Sequence, residues 1–452
     1  MSPDDIFQGY AKNAYALANF PAPLRGAKDM EQSINCQLAL KQRRSWVREA
    51  PAVTSDGPKI AFALFIAFLF MLYSSVAAIY KEQLDALRPT LVIALGALSM
   101  MVIELGQMRQ SFKLMWPQGA LLLALLGVCV ISTFDAVYVR HSVDQTTDFG
   151  KVVLVYLLIE NVVTTERRLR IVMLAMVLGG LFPAIGTISH YRAGILQEHS
   201  RAAWRGIFSN PNEAAYGILI LVPIALAVAS NSRRSIRIAL WGIVGIYILG
   251  MFLTFSRGGF LAFFTILALM AWKHRSIVIK TGMIAALVGG IVVLGMFWKR
   301  SSGDFNNIQG DTSVRERIAT FQAGIQMFLH NPLLGVGPGD SMVAYPLYVP
   351  VDPHCGCHDQ LVVHNSFIQA LGELGLLGFT PFVLFIGIPM SQAWKMERGP
   401  LGSYAMALEL AMWGFVVCGM SGGFVFTWWP YVLVGLITAT KRIAESASAE
   451  AV

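Results

Sequence analysis

Residues 238–272 read IALWGIVGIYILGMFLTFSRGGFLAFFTILALMAW, two apolar runs joined at Thr254-Phe255-Ser256-Arg257-Gly258-Gly259. Arg257 is the single charge in that stretch. Each run approaches the roughly 20 residues an α-helix needs to cross the hydrocarbon core of a bilayer. The pair therefore reads as two transmembrane helices folded back on a tight turn. Two glycines let the backbone reverse there and let a bulky ligand approach. A charge so close to hydrocarbon is costly unless paired, so Arg257 marks a site.

Working outward, similar runs fall near 60–80, 89–106, 117–134, 150–163, 169–189, 212–230, 279–298, 374–393, 404–424 and 428–440, which with 238–255 and 258–272 makes twelve. Composition agrees. Apolar residues make up 55% of the 452 and charged residues only 14%, against about a quarter charged in a soluble domain. The expected fold is all-α and polytopic, about 12 transmembrane helices with a long outer loop between helices 9 and 10.

Orientation follows from Lys and Arg. With the N-terminus inside, the inner connections collect Arg109 and Lys113, then Arg167, Arg168 and Arg170, then Arg233, Arg234 and Arg237. Lys273, Arg275 and Lys280, Lys395 and Arg398, and Lys441 and Arg442 continue the series. Including the N-terminal segment, 23 of the 35 basic residues lie inside, so the net charge of +8 is mostly topology and needs no nucleic acid. The resulting division is 1–58 as a cytoplasmic tail without a cleavable signal, 59–298 as helices 1–9 and 299–365 as the outer loop. Residues 366–441 supply helices 10–12, and 442–452 form a cytoplasmic tail. Of the five cysteines, Cys36 is inside, Cys129 and Cys418 lie in spans, and Cys355 and Cys357 face the oxidising side.

The outer segments break the rule at Arg192, Arg201 and Arg205, at Arg257, and at Arg315 and Arg317. Arginine offers a planar fork suited to phosphate and stays charged when partly desolvated. An anionic ligand at the outer face is the natural partner, with lipid headgroups or Asp304 and Asp311 as the plainer one. In the outer loop, Val314, Ile318, Phe321, Ile325 and Phe328 form a helical stripe, ended by the Pro/Gly turn from His330 to Asp340. His364-Asn365-Ser366 then opens the tenth span, with Asn365 or Ser366 as N-cap.

Ser256-Arg257-Gly258-Gly259, His330-Asn331-Pro332 to Gly339, and His364-Asn365-Ser366-Phe367 followed by Glu373-Leu374-Gly375-Leu376-Leu377-Gly378 resemble the O-antigen ligase domain, in that family's order and spacing. Trp204-Arg205-Gly206-Ile207-Phe208 with Asn210-Pro211-Asn212 resembles its further motif. Together they point to the O-antigen ligase and polymerase superfamily. Many relatives carry Arg three residues before the glycine of that further motif, where this chain has Ala203. Arg205 instead directly precedes Gly206, as in the exopolysaccharide-polymerase-like version, and Arg201 is the other candidate.

The resemblance implies a glycosyltransferase-C-like enzyme of the bacterial inner membrane with a periplasmic active site. It would transfer a glycan from undecaprenyl pyrophosphate to a sugar hydroxyl on a glycan or on lipid A-core. Residue chemistry agrees with that reaction. A departing pyrophosphate needs charge-assisted donors such as Arg257 and Arg205. The acceptor hydroxyl needs a neutral imidazole such as His364. Arg201, Arg317, Ser256, Gly258, Asn212 and Asn365 are read as substrate-binding. No cofactor and no metal is expected, because no acidic pair with metal-site spacing occurs in an outer loop.

Other readings compete. His354-Cys355-Gly356-Cys357-His358-Asp359 has zinc or copper ligand types, but equally suits a disulfide or reduced thiols. Glu373 falls about half a helical revolution from His364 and is expected to pair inside the bundle, while Glu160 and Glu409 near inner span ends read as structural. A transporter of lipid-linked oligosaccharide would show related halves and broken helices at mid-membrane, and no half-repeat is visible. The Trp204-Arg205-Gly206 version tilts the choice from ligase toward polymerase.

Overall fold

The computed structural model describes residues 57–80, 88–197, 200–274, 276–297, 312–349 and 360–450. Most of the N-terminal tail, the first part of the outer loop and the His354–Asp359 cluster lie outside the described residues.

The regular structure among the described residues is helical, apart from one isolated bridge between Gln197 and Arg201. The helices are α1 Lys59–Ser74, α2 Pro89–Gln107, α3 Gln118–Thr133, α4 Val139–Val162, α5 Glu166–Arg192, α6 Pro211–Ser230 and α7 Arg234–Phe252. They continue with α8 Arg257–Lys273, α9 Ile277–Phe297, α10 Thr312–His330, α11 Ser341–Tyr348, α12 Ser366–Met396, α13 Gly402–Gly419 and α14 Trp428–Glu450. Each apolar run of the sequence lies on one of them. Six, α2, α5, α6, α7, α12 and α13, are long and apolar enough to cross a membrane, while α1 and α3 are apolar but shorter.

The helix boundaries differ from the apolar runs for identifiable reasons. α4 starts at Val139, well before its apolar part, because the Asp340 carboxylate accepts the Tyr138 N–H at 2.6 Å and anchors the polar first turns. α12 begins at Ser366, ahead of its apolar run and where the His364-Asn365-Ser366 cap is expected, because Asn365 Oδ1 accepts from the N–H of Phe367 and Ile368 at 2.9 and 3.1 Å. The predicted loop helix is present as α10, and α11 follows it without having been anticipated.

The core is organised around α6, buried almost along its whole length against α5, α7 and α13. α12 packs on α3, α10, α13 and α14, and α8 packs on α13. Buried carboxylates near the opposite ends of the helices are paired. Glu104 accepts the N–H groups of Lys59, Ile60 and Ala61 at the start of α1, at 3.0, 3.0 and 2.9 Å. Glu160 accepts the Met115 N–H at 3.0 Å and the Tyr156 hydroxyl at 2.5 Å.

α12 is broken at Gly375, which adopts φ 60° and ψ −164°. The freed backbone groups are satisfied by the His330–Gly339 segment lying alongside. Leu376 and Leu377 donate to the carbonyls of Pro332 and Leu333, and Val336 and Gly337 donate to those of Gly372 and Glu373. A Cβ at Gly375 would stand 2.3 Å from the Leu333 carbonyl, and one at Gly335 2.3 Å from the Glu373 carbonyl carbon. Two backbones at that separation leave room only for glycine. A broken helix is tolerated at membrane depth where protein supplies the missing partners. Ser132 and Ser142 donate to Leu334 and Pro338 from the far side, at 2.7 and 3.1 Å. The glycine-rich motif is thus an architectural splice. Glu373 is buried in it, accepting from Gly339 N–H at 2.9 Å and from Gln369 Nε2 at 3.2 Å.

Candidate active site

Three helix N-termini open at one end of the bundle, each capped by its own side chain. Asn210 caps α6, accepting from Asn212 N–H at 2.8 Å, with Pro211 in the first turn. Ser256 caps α8, accepting from Gly259 N–H at 3.3 Å. Asn365 caps α12. Such termini carry unsatisfied N–H groups and partial positive charge, which favour anions.

The first two are tied together directly. Arg201, only 3% exposed, donates from Nη2 to Asn212 Oδ1 at 2.6 Å and from Nε to the Thr254 carbonyl at 3.0 Å. Ser256 Oγ donates to the same Asn212 oxygen at 2.8 Å. The turn between α7 and α8 passes through Phe255 at φ 48°, a left-handed conformation that costs a bulky residue free energy. It holds Ser256 against Asn212 and leaves Arg257 half-buried at the start of α8.

The third terminus joins through a bridge that the sequence did not reveal. Gly258 packs so closely on the Tyr216 hydroxyl that a Cβ would come within 2.4 Å of it. The Tyr216 hydroxyl shares a hydrogen bond with Ser421 Oγ at 2.8 Å. Ser421 belongs to the turn after α13, to which α12 is bound. Asn365 Nδ2 donates to the Met420 carbonyl at 3.4 Å, and Ser366 Oγ to the Gly422 carbonyl at 2.7 Å. The available signal was Gly422-Gly423, a second glycine pair at a span end, like Gly258-Gly259.

His364 is half-buried one residue before the α12 cap. α10 crosses α12 closely, a Cβ on Gly324 falling 2.5 Å from Ile368 and one on Gly372 3.0 Å from the Gly324 carbonyl. This crossing brings Arg317, two turns earlier on α10, toward the start of α12. Burial pushes the His364 imidazole below its ordinary range, and the Arg317 charge adds to the effect. Both act against the protonated ring, so the neutral base is the favoured form.

Of the predicted residues, Arg201, Asn212, Ser256, Arg257 and Gly258 are gathered in one cluster, with Asn365, His364 and Arg317 joined to it through the Ser421 turn and α10. Arg205 is placed differently. It is exposed, its guanidinium 5.6 Å from the Trp204 ring centroid. Trp204 itself lies against α5, 4.7 Å from His190 and over Gly186, so the motif locks the loop on α5 and turns Arg205 outward.

These features define an all-helical membrane protein with a cationic, partly buried cluster at one end of its bundle. Residues 242–386 match the family described as O-Antigen ligase, so this segment of the chain is similar to that family. The match runs from α7 into α12 and includes the turns around Arg257 and His364. Arg201, Arg205 and Asn212 precede it. The family is one of membrane glycan transfer in O-antigen biosynthesis. Among curated proteins no match is found.

Proposed function

We propose that the protein transfers a glycan from undecaprenyl pyrophosphate to a sugar hydroxyl on an acceptor glycan, at the periplasmic face of the inner membrane and without a metal. The observation that carries this reading is the joining of Arg201 and the α8 turn through Asn212, beside an imidazole kept neutral. In the reaction His364 takes the proton of the acceptor hydroxyl as its oxygen bonds to the anomeric carbon. The bond from that carbon to the pyrophosphate oxygen breaks, and its electron pair leaves with the lipid pyrophosphate. Arg201, Arg257 and Arg317, with the N-termini of α6, α8 and α12, stabilise the departing charge. Asn212 and Ser256 orient the arginines, Asn365 sets the start of α12, and Gly258 lets the start of α8 close on Tyr216 and Ser421. Arg205 then meets the glycan or headgroup from the rim.

Polymerisation is the form of transfer preferred, on the Trp204-Arg205-Gly206 motif; attachment to lipid A-core is the alternative. The test is product length. Purified protein given a lipid-linked repeat unit alone should build a ladder of longer lipid-linked chains, unaffected by EDTA. Transfer only when lipid A-core is added would assign it as a ligase. EDTA-sensitive transfer would move attention to His354, Cys355, Cys357 and His358.

A further inference from the structure

A cleft of ≈ 530 Å³ opens between the C-terminal ends of α12 and α14, at the opposite end of α12 from His364. Gln392, Lys395 and Met396 line it from α12, and Lys441, Ala444 and Glu445 from α14. Lys395 directly follows Trp394, which is 62% exposed. Tryptophan gathers at the level of lipid headgroups, where an apolar ring meets water. With these helices read as membrane spans, the cleft lies at that level.

The charged groups around it leave a cationic surplus. Among the described residues no carboxylate pairs with Lys395, which is exposed. Lys441 Nζ stands 3.8 Å from Glu445 Oε1, beyond hydrogen-bonding distance, and the two side chains are 30% and 63% exposed. Their attraction is therefore small. Arg442 donates to the carbonyls of Glu160 and Val163. Burial and then the Arg442 charge hold the Lys113 ammonium below its ordinary range. Glu397 and Glu409 both accept from Lys273, and Arg398 is exposed beside Glu397. With Glu160 and Glu445 both counted as ionised, Lys113, Lys395, Lys441 and Arg442 still outnumber them. The cleft is also rich in donors. Gln392 Oε1 accepts from Gln118 Nε2 at 3.1 Å, which leaves the Gln392 N–H groups to donate.

We propose that this cleft binds an anionic, glycerol-headed phospholipid. Its phosphate takes the ammonium groups of Lys395 and Lys441 and the Gln392 amide, as basic pockets between membrane helices hold acidic headgroups. The acyl chains leave past Met396 and Ala444. An ethanolamine headgroup brings its own ammonium toward the same two lysines and is disfavoured. The site rests on the membrane reading of these helices and not on glycan transfer.

The test is native mass spectrometry of the delipidated full-length protein. It is supplied with glycerol-headed and ethanolamine-headed phospholipids of identical acyl chains. Wild type should retain the glycerol-headed lipid with about tenfold preference, since each Lys at an anionic membrane surface contributes about fivefold. Lys395→Gln should lower the preference severalfold, and Lys395→Gln with Lys441→Gln should bring it close to parity. Lys395 is exposed, so Lys395→Gln carries the test alone should the double variant fail to fold. Arg234→Gln, an exposed cation at the start of α7, should leave the preference unchanged. Parity or an ethanolamine preference in wild type, an unchanged preference in Lys395→Gln, or an equal loss in Arg234→Gln would overturn the proposal. Displacement of the lipid by glycerol 3-phosphate would overturn it too, by assigning the cleft to a soluble anion.

Discussion

Arg201 and Asn212 meet at 2.6 Å, and the Asn212 oxygen that Arg201 reaches is the one Ser256 also donates to. One side-chain amide thereby ties the loop after α5 to the cap of α8. Arg201 is then held in place before any ligand arrives, which lowers the ordering cost of gripping an anion.

Arg201→Ala and Arg257→Ala should each slow transfer by about tenfold to a hundredfold. A charge-assisted hydrogen bond contributes about 1.5–3 kcal/mol, and each 1.36 kcal/mol off transition-state stabilisation is about tenfold in rate. Arg→Lys should restore only part, because a point charge does not fork onto two phosphate oxygens. Arg205→Ala, outside the cluster, should lose less than Arg201→Ala. Single-turnover transfer and binding of undecaprenyl pyrophosphate are the measurements. The reverse order of Arg205 and Arg201 would assign the pyrophosphate contact to Arg205.

His364→Ala should leave donor binding nearly intact and remove transfer. Because burial and Arg317 lower its pKa, the ring stays neutral to below the ordinary imidazole value of about 6.5. Activity should therefore hold through neutral pH and fall only as pH drops through that lowered value. Arg317→Ala removes one of the two causes, so the acid limb should move to higher pH whatever happens to the maximal rate. A pH profile of both proteins checks this, and an acid limb that stays in place would separate His364 from the titration.

Gly375→Ala should destabilise the protein by about 2 kcal/mol or more, through overpacking and left-handed strain together. The added methyl would press into the Leu333 backbone and part the splice between α12 and the His330–Gly339 segment. Thermal melting in detergent is the readout. Gly387→Ala in the same helix, where nothing lies within 4 Å of the new Cβ, is the control and should be near neutral. Equal melting of the two variants would show that the splice contributes little.

The Lys and Arg alternation predicts that α10 lies outside. A cysteine introduced at Glu316, which is exposed, in a background without native cysteines should react with an impermeant maleimide in intact spheroplasts. Protection there, with labelling only after lysis, would invert the topology and move the site to the cytoplasm.

The apolar runs were legible because hydropathy is local: each span's residues are contiguous, and lipid asks the same of each. For the same reason Asn365 could be read as a helix start from its neighbours alone. The break in α12 was not legible. Glu373-Leu374-Gly375 continues an apolar pattern, and only the segment from Pro332 to Gly337 lying against it makes a left-handed Gly375 favourable.

Sequence by itself determined that this chain is a bundle of apolar, membrane-type helices, and it put forward arginines and a histidine as candidates for an anionic ligand. Tertiary structure decided which of them share a site. Arg201 and Arg205 are four residues apart in one loop, and composition cannot rank them. Packing of Trp204 on Gly186 and His190 turns one outward, while Asn212 and Thr254 draw the other into the cluster. The bridge from Tyr216 to Ser421 joins residues 205 positions apart. Such a contact is set by how close two helix ends come, a distance that no local pattern encodes.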